Sequence, residues 1–147
     1  MRVKLAVAIV GVGLMMAAVP VVAHHAFSAE FDANRQLELE GTVFKVEWIN
    51  PHAWIHIRVT DEEGTQEVWM IEGGTPNTLF RRGFTKNSLL PGTDIVVEGF
   101  QAKDGTNKMN GRNLTLANGD KLFLGSSGTG APRDGADPNE APPKRKQ

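Results

Sequence analysis

The sequence contains no cysteine. Disulfides and thiolate metal sites are therefore closed to it, and a folded domain must be held by its apolar core alone. Positive charge is not in excess either: 16 Lys and Arg stand against 17 Asp and Glu, and no basic stripe runs along the chain. A nucleic-acid surface normally carries such a stripe, so nucleic acid is excluded as an expected partner. The signatures of common catalytic sites are also missing. No serine has the setting of a nucleophile elbow, no glycine-rich phosphate loop follows a strand, and no carboxylate pair stands out. No catalytic residue is assigned on this basis, and an enzyme of undefined reaction stands last among the function classes.

Long hydrophobic runs are absent except at the start. Arg2 and Lys4 precede an unbroken stretch of apolar residues and glycine from Leu5 to Val19, followed by Pro20 and Val21-Val22-Ala23. That order predicts a secretory signal over residues 1–23, cleaved after Ala23. The rival reading is an uncleaved membrane anchor; the run is short for a span, and Gly11, Gly13 and Pro20 weaken it. Removing Arg2 and Lys4 leaves 14 basic residues against 17 acidic ones, a mature net charge of −3. The expected location is the periplasm or outside the cell, with no stable membrane insertion after cleavage. At the far end, residues 126–147 are rich in Ser, Gly, Pro and mixed charge and predict a disordered tail. Between these lie an amino-terminal segment, 24–35, and one domain, 36–125.

That domain is organised around Glu47-Trp48-Ile49-Asn50-Pro51-His52-Ala53-Trp54-Ile55-His56-Ile57. Asn-Pro favours a turn, and the two-residue alternation after it is that of a half-buried strand. It turns Ala53, Ile55, Ile57 and Val59 inward and Trp54, His56, Arg58 and Thr60 outward. Before the turn, Leu37, Leu39 and Val43 share one phase, whereas Phe44, Val46 and Trp48 take the other. Such a slip predicts a bulge or bend, which Gly41 makes tolerable. A third strand, Gln66 to Glu72, has apolar residues on both faces, so both are expected to be covered. Thr75-Pro76 opens a short helix that Gly83 ends, with Leu79 and Phe80 expected in the core. Strands over 94–101 and 109–116 follow, then a reversal at Asn118-Gly119 into a short strand over 122–124. Three strands, a helix and two strands, with a bent first strand, predict an all-β, OB-fold-like five-stranded barrel. An open β-sandwich is the simplest alternative.

Several segments occur in a familiar order: His24-His25-Ala26-Phe27, Glu47 to His52, Gly74-Thr75-Pro76-Asn77 with Leu79 to Gly83, and Pro91-Gly92 through Val97-Glu98-Gly99. In these the chain resembles DUF6152, a family of small exported bacterial proteins of unknown function. The resemblance runs from His24 to about Gly125. It implies a periplasmic location and a small β-barrel, and it carries no established activity or catalytic residues.

Two kinds of binding residue stand out. The first is aromatic: Trp48, Trp54, His56 and Trp69, on or near strands two and three, where OB-folds take ligands. They suit stacking against a sugar, a peptide or an aromatic small molecule, and the expected function is a non-enzymatic binding or accessory module for an undefined small molecule, peptide or protein. The competing role for these tryptophans is to cover the amino-terminal segment, with Phe27 or Phe31 packed on them. The second is a nitrogen site for copper. A mature chain beginning at His24 would offer its α-amine and ring nitrogen, joined by His25 or His52. His52 and His56 cannot share one metal, since four strand residues separate them by roughly 13 Å at about 3.3 Å each. His52 is also suited to capping the Asn50 backbone, and Glu47 is the carboxylate expected near it.

Overall fold

The computed structural model describes residues 27–125 and Ala131. The expected signal, His24, His25 and the tail other than Ala131 lie outside the described residues. The elements are β1 (Phe31–Glu47), β2 (Trp54–Thr60), β3 (Gln66–Glu72), α1 (Pro76–Arg81), β4 (Asp94–Ala102), β5 (Lys108–Leu116) and β6 (Lys121–Phe123). One helical turn, 27–30, leads into β1. No helix among the described residues is long and apolar enough to cross a membrane.

The alternation after Asn50-Pro51 does what its period requires. Ala53, Ile55 and Ile57 are fully buried, Trp54 and His56 are half-buried, and Arg58 is exposed. β1 bends where its apolar phase flips: its register with β2 slips between Val43 and Lys45. Phe44 is the extra residue, and it goes outward, its ring 5.8 Å from that of His56. Gly41 serves the same bend, because a Cβ there would lie 2.6 Å from the Arg58 carbonyl oxygen. β1 begins at Phe31, five residues ahead of the expected Gln36, with an irregular step against β4 between those two positions.

Three inward expectations need correction. On β3, Trp69 and Ile71 point into the core, whereas Val68 on the opposite face is 50% exposed, so only one face of that strand is covered there. On α1, Leu79 is buried but Phe80 is 36% exposed. Two turns of helix present only one apolar side inward, and Phe80 instead meets Trp48, their ring centroids 5.0 Å apart. Third, Phe27 and Phe31 do not pack on Trp54; they join Phe100 and Ala102 in a separate buried cluster, which Ala131 also touches.

The helix is capped as its sequence predicts. Thr75 accepts a bond from the Thr78 amide, Pro76 stands in the first turn, and Gly83 takes φ of 99° after the C-cap.

The domain is all-β, with neighbours in the order β3-β2-β1-β4-β5-β6 and one further pairing, β3 with β5. All pairs are antiparallel except that last one, in which Met70, Ile71 and Glu72 face Lys108, Met109 and Asn110. The hydrogen-bonded sequence β1–β2–β3–β5–β4–β1 therefore returns to its start. Inside it lie Val43, Ile55, Ile57, Ile71, Val97, Met109 and Leu114, with Leu79, Phe84 and Leu89 supplied by α1 and the loop after it.

Candidate functional site

Because β2 turns its even residues outward, the register of its neighbours decides what lies beside them. Two cross-strand rows result. Glu47, Trp54, Glu72 and Asn110 form one, and Lys45, His56, Met70 and Lys108 form the next. Together they make a continuous outer face across β1, β2, β3 and β5, with Trp54 near its middle. Two histidine–glutamate pairs flank that ring.

The first pair is open to water on its acidic side. Glu47 accepts from the Lys45 ammonium at 2.7 Å through Oε1 and faces His56 Nε2 at 2.8 Å through Oε2. Hydrogen bonding from Lys45, and then from His56, holds the Glu47 carboxyl below its ordinary range. The His56 ring is largely covered, with Phe44 beside it. Arg58 lies over the Phe44 ring, its guanidinium carbon 4.6 Å from the centroid.

The second pair is drier. The Ala53 amide donates to the Gly74 carbonyl and the Gly73 amide to the Ala53 carbonyl, clamping the end of the Asn50-Pro51 turn against the end of β3. This sets His52 Nδ1 3.2 Å from Glu72 Oε1 and 3.2 Å from the Gly73 carbonyl oxygen. Both neighbours are acceptors, so Nδ1 carries the proton. Glu72 is only 7% exposed. Burial pushes its carboxyl above the ordinary range; His52 and Lys108 oppose that shift, and Glu30 adds to it.

Lys108 links this pair to the amino-terminal segment. Its ammonium donates to Glu30 Oε1 at 2.6 Å and stands 5.7 Å from the Trp54 ring centroid, within cation–π reach. The bond to Glu30 is the main reason its proton is held above the usual lysine range. The Lys103 amide donates to the Glu30 carbonyl, which fastens the helical turn from a second side.

The residues singled out from sequence are thus divided. Trp54 and His56 share the outer face. Trp48 lies apart, against Phe80 and the edge of the core. Trp69 is 7% exposed and belongs to the core, so its assignment to an outward ligand face is corrected; its indole nitrogen donates to Glu67 at 3.4 Å. His52 bonds Glu72 and Gly73, not the Asn50 backbone, and Glu47 partners His56 in place of His52. Among the described residues no three His, Asp or Glu side chains are grouped to hold a metal. Sequence reasoning passed over Glu72, Lys108 and Phe44. Counting outward from the Asp61–Thr65 turn, Gln66 faces Thr60 and Glu72 faces Trp54, so register could have found the first. Nothing local could have found Lys108, whose place depends on the β3–β5 pairing.

Chemically, this face offers an aromatic surface between two carboxyls held in opposite directions, with one cation over the ring. An all-β domain with a tryptophan-centred polar face is the class of molecule that results. The chain belongs to the family of unknown function DUF6152, whose pattern matches residues 11–112. Among curated proteins and solved structures, no match is found.

Proposed function

We propose that this chain is an exported, non-enzymatic binding module of OB-fold type that takes its ligand on the outer face of β2, β3 and β5. The observation that carries the reading is the row Glu47–Trp54–Glu72, which leaves a half-exposed indole between two polar pairs. The barrel reading is supported by the closed order of pairings, the parallel β3–β5 step, the bent β1 and a helix between β3 and β4. Export is supported by the charged, apolar start and by Val21-Val22-Ala23. Intact mass of the exported protein should show His24 first, and retention of the apolar run would overturn that part.

Binding is tested by amide and indole shift mapping against short peptides, oligosaccharides and aromatic small molecules. A true ligand shifts Trp54, His56, Met70 and Lys108, and loses most of its affinity in Trp54→Ala while Trp48→Ala keeps it. Shifts confined to Trp48 and Phe80 would place the site elsewhere. A copper site using His24 with His25 or His52 is a second reading. In its favour, Glu30, six residues after His24, lies close enough to influence Glu72, the partner of His52. Adding one glycine before His24 should abolish most Cu(II) affinity, and equal binding would remove the reading.

A further inference from the structure

Among the described residues, the outer face of β1 and β4 is dominated by carboxylates, with cations only at its two borders. Glu38 stands directly opposite Glu98, and the rows beyond pair Glu40 with Val96 and Thr42 with Asp94. Like charges directly opposed across a sheet are destabilising. Glu98 accepts from Asn113, and Asp94 accepts from Thr42, but neither bond supplies a cation. Among the described residues no Lys or Arg forms an ion pair with Glu38, Glu40, Asp94 or Glu98. Two cations among the described residues border this surface: Lys121 beside the second depression, and Arg58, which stands opposite Thr42 with its guanidinium over the Phe44 ring. Two shallow depressions, of about 270 and 280 Å³, meet at Thr115; Glu40 and Asp94 line one, and Glu98 lines the other.

A segment of complementary charge follows the domain in sequence, with Arg133 and Lys144-Arg145-Lys146. Ala131 packs against the cluster of Phe27, Phe31, Phe100 and Ala102. Phe100 faces Gln36 and is followed along the same outer face by the Glu98–Glu38 row. Ala131 thus stands at one end of the acidic strip. Arg133 follows two residues later, a span of about 7 Å and roughly one row of the sheet. Lys144-Arg145-Lys146 begins 13 residues after Ala131, a reach of up to about 45 Å. The distance along β4 from Phe100 to Asp94 is only about 20 Å. In sequence, Asp134, Asp137 and Glu140 lie between the two basic groups.

We propose that the acidic outer face of β1 and β4 is the seat of the chain's own basic segment over 133–146, with Arg133 at Glu38 and Glu98 and Lys144-Arg145-Lys146 toward Glu40 and Asp94. The contact is intramolecular and electrostatic, so salt releases it: the screening length falls from about 10 Å at 0.1 M to about 3 Å at 1 M.

The absence of cysteine makes the test direct. A single nitroxide is placed on Ala141→Cys in the chain from residue 24 to 147, and broadening of the amide signals is read. At low salt the amides of Glu40, Val96 and Thr115 should lose at least half their intensity, and those of Ile71 and Glu72, on β3 at least two strands away from β4 in either direction, should not. The loss should disappear at 1 M NaCl and in the exposed-site variant Glu38→Gln with Glu40→Gln, whose spectrum otherwise shows the fold intact. It should also be absent when label and isotope are on different molecules. No broadening at low salt, broadening that survives 1 M salt, or broadening only between molecules would each overturn the proposal, the last by assigning the face to a second copy.

Discussion

His56–Glu47 and His52–Glu72 are the same two residue types at nearly the same contact distance on one face, yet their carboxyls are held in opposite directions. Glu47 has two donors and open solvent, so its charged form is favoured. Glu72 has one histidine against nearly complete burial, and desolvation prevails. The comparison teaches that the partner does not set the behaviour of a carboxylate; the number of donors and the access of water do. Trp54 stands between them, so the proposed ligand face has an anion on one side of the ring and a carboxyl that resists ionisation on the other.

The comparison can be broken most severely at its foundation, the facing of β2. Ile57→Ala should cost about 2–5 kcal/mol through the cavity it leaves. Arg58→Ala, one residue on, should cost at most about 1 kcal/mol, the worth of an exposed guanidinium over Phe44. Equal losses in denaturant unfolding would mean that the alternation has been misread.

A smaller effect is expected from His52→Ala. It leaves the Glu72 carboxylate buried without its main partner, a loss of about 1 kcal/mol given that water reaches part of His52. The loss should be largest near neutral pH and shrink in acid, as Glu72 takes up a proton.

The two carboxyls should differ in sign as well as size. Glu72 has a folded pKa above the ordinary 4.5, so it binds protons more readily folded than unfolded, and its contribution to stability falls as pH rises from there. Glu72→Gln should therefore gain stability relative to the parent at neutral pH, and lose that advantage toward pH 4. Glu47 has a lowered pKa and contributes stability above 4.5, which is lost as pH falls. Glu47→Gln should weaken the fold slightly at neutral pH and match the parent in acid. Thermal unfolding across that range checks both, and parallel profiles for the two variants would dissolve the contrast.

Much of the scaffold was legible in the residues. A strict two-residue period fixes which side of β2 is buried, and the apolar phase flip at Phe44 locates the bulge in β1. Thr75-Pro76 and Gly83 mark the helix ends through local chemistry alone. Trp69 was not legible, because Val68, Trp69, Met70 and Ile71 are all apolar and no period distinguishes inside from outside. Phe80 failed for a related reason: two adjacent large residues on a short helix cannot both face the core. The site itself was half visible. Trp54 and His56 follow from β2, whereas Glu72, Lys108 and Glu30 converge only through pairings between strands far apart in sequence. Local patterns carry no information about such pairings.

The most direct measurement is the titration of the individual side-chain carboxyl carbons by NMR in the described domain. The account predicts that Glu72 titrates with a midpoint above 4.5 and Glu47 with one below it, and that His52→Ala moves Glu72 further up while leaving Glu47 in place. Two carboxyls titrating together near 4.5, or Glu72 titrating below Glu47, would contradict it.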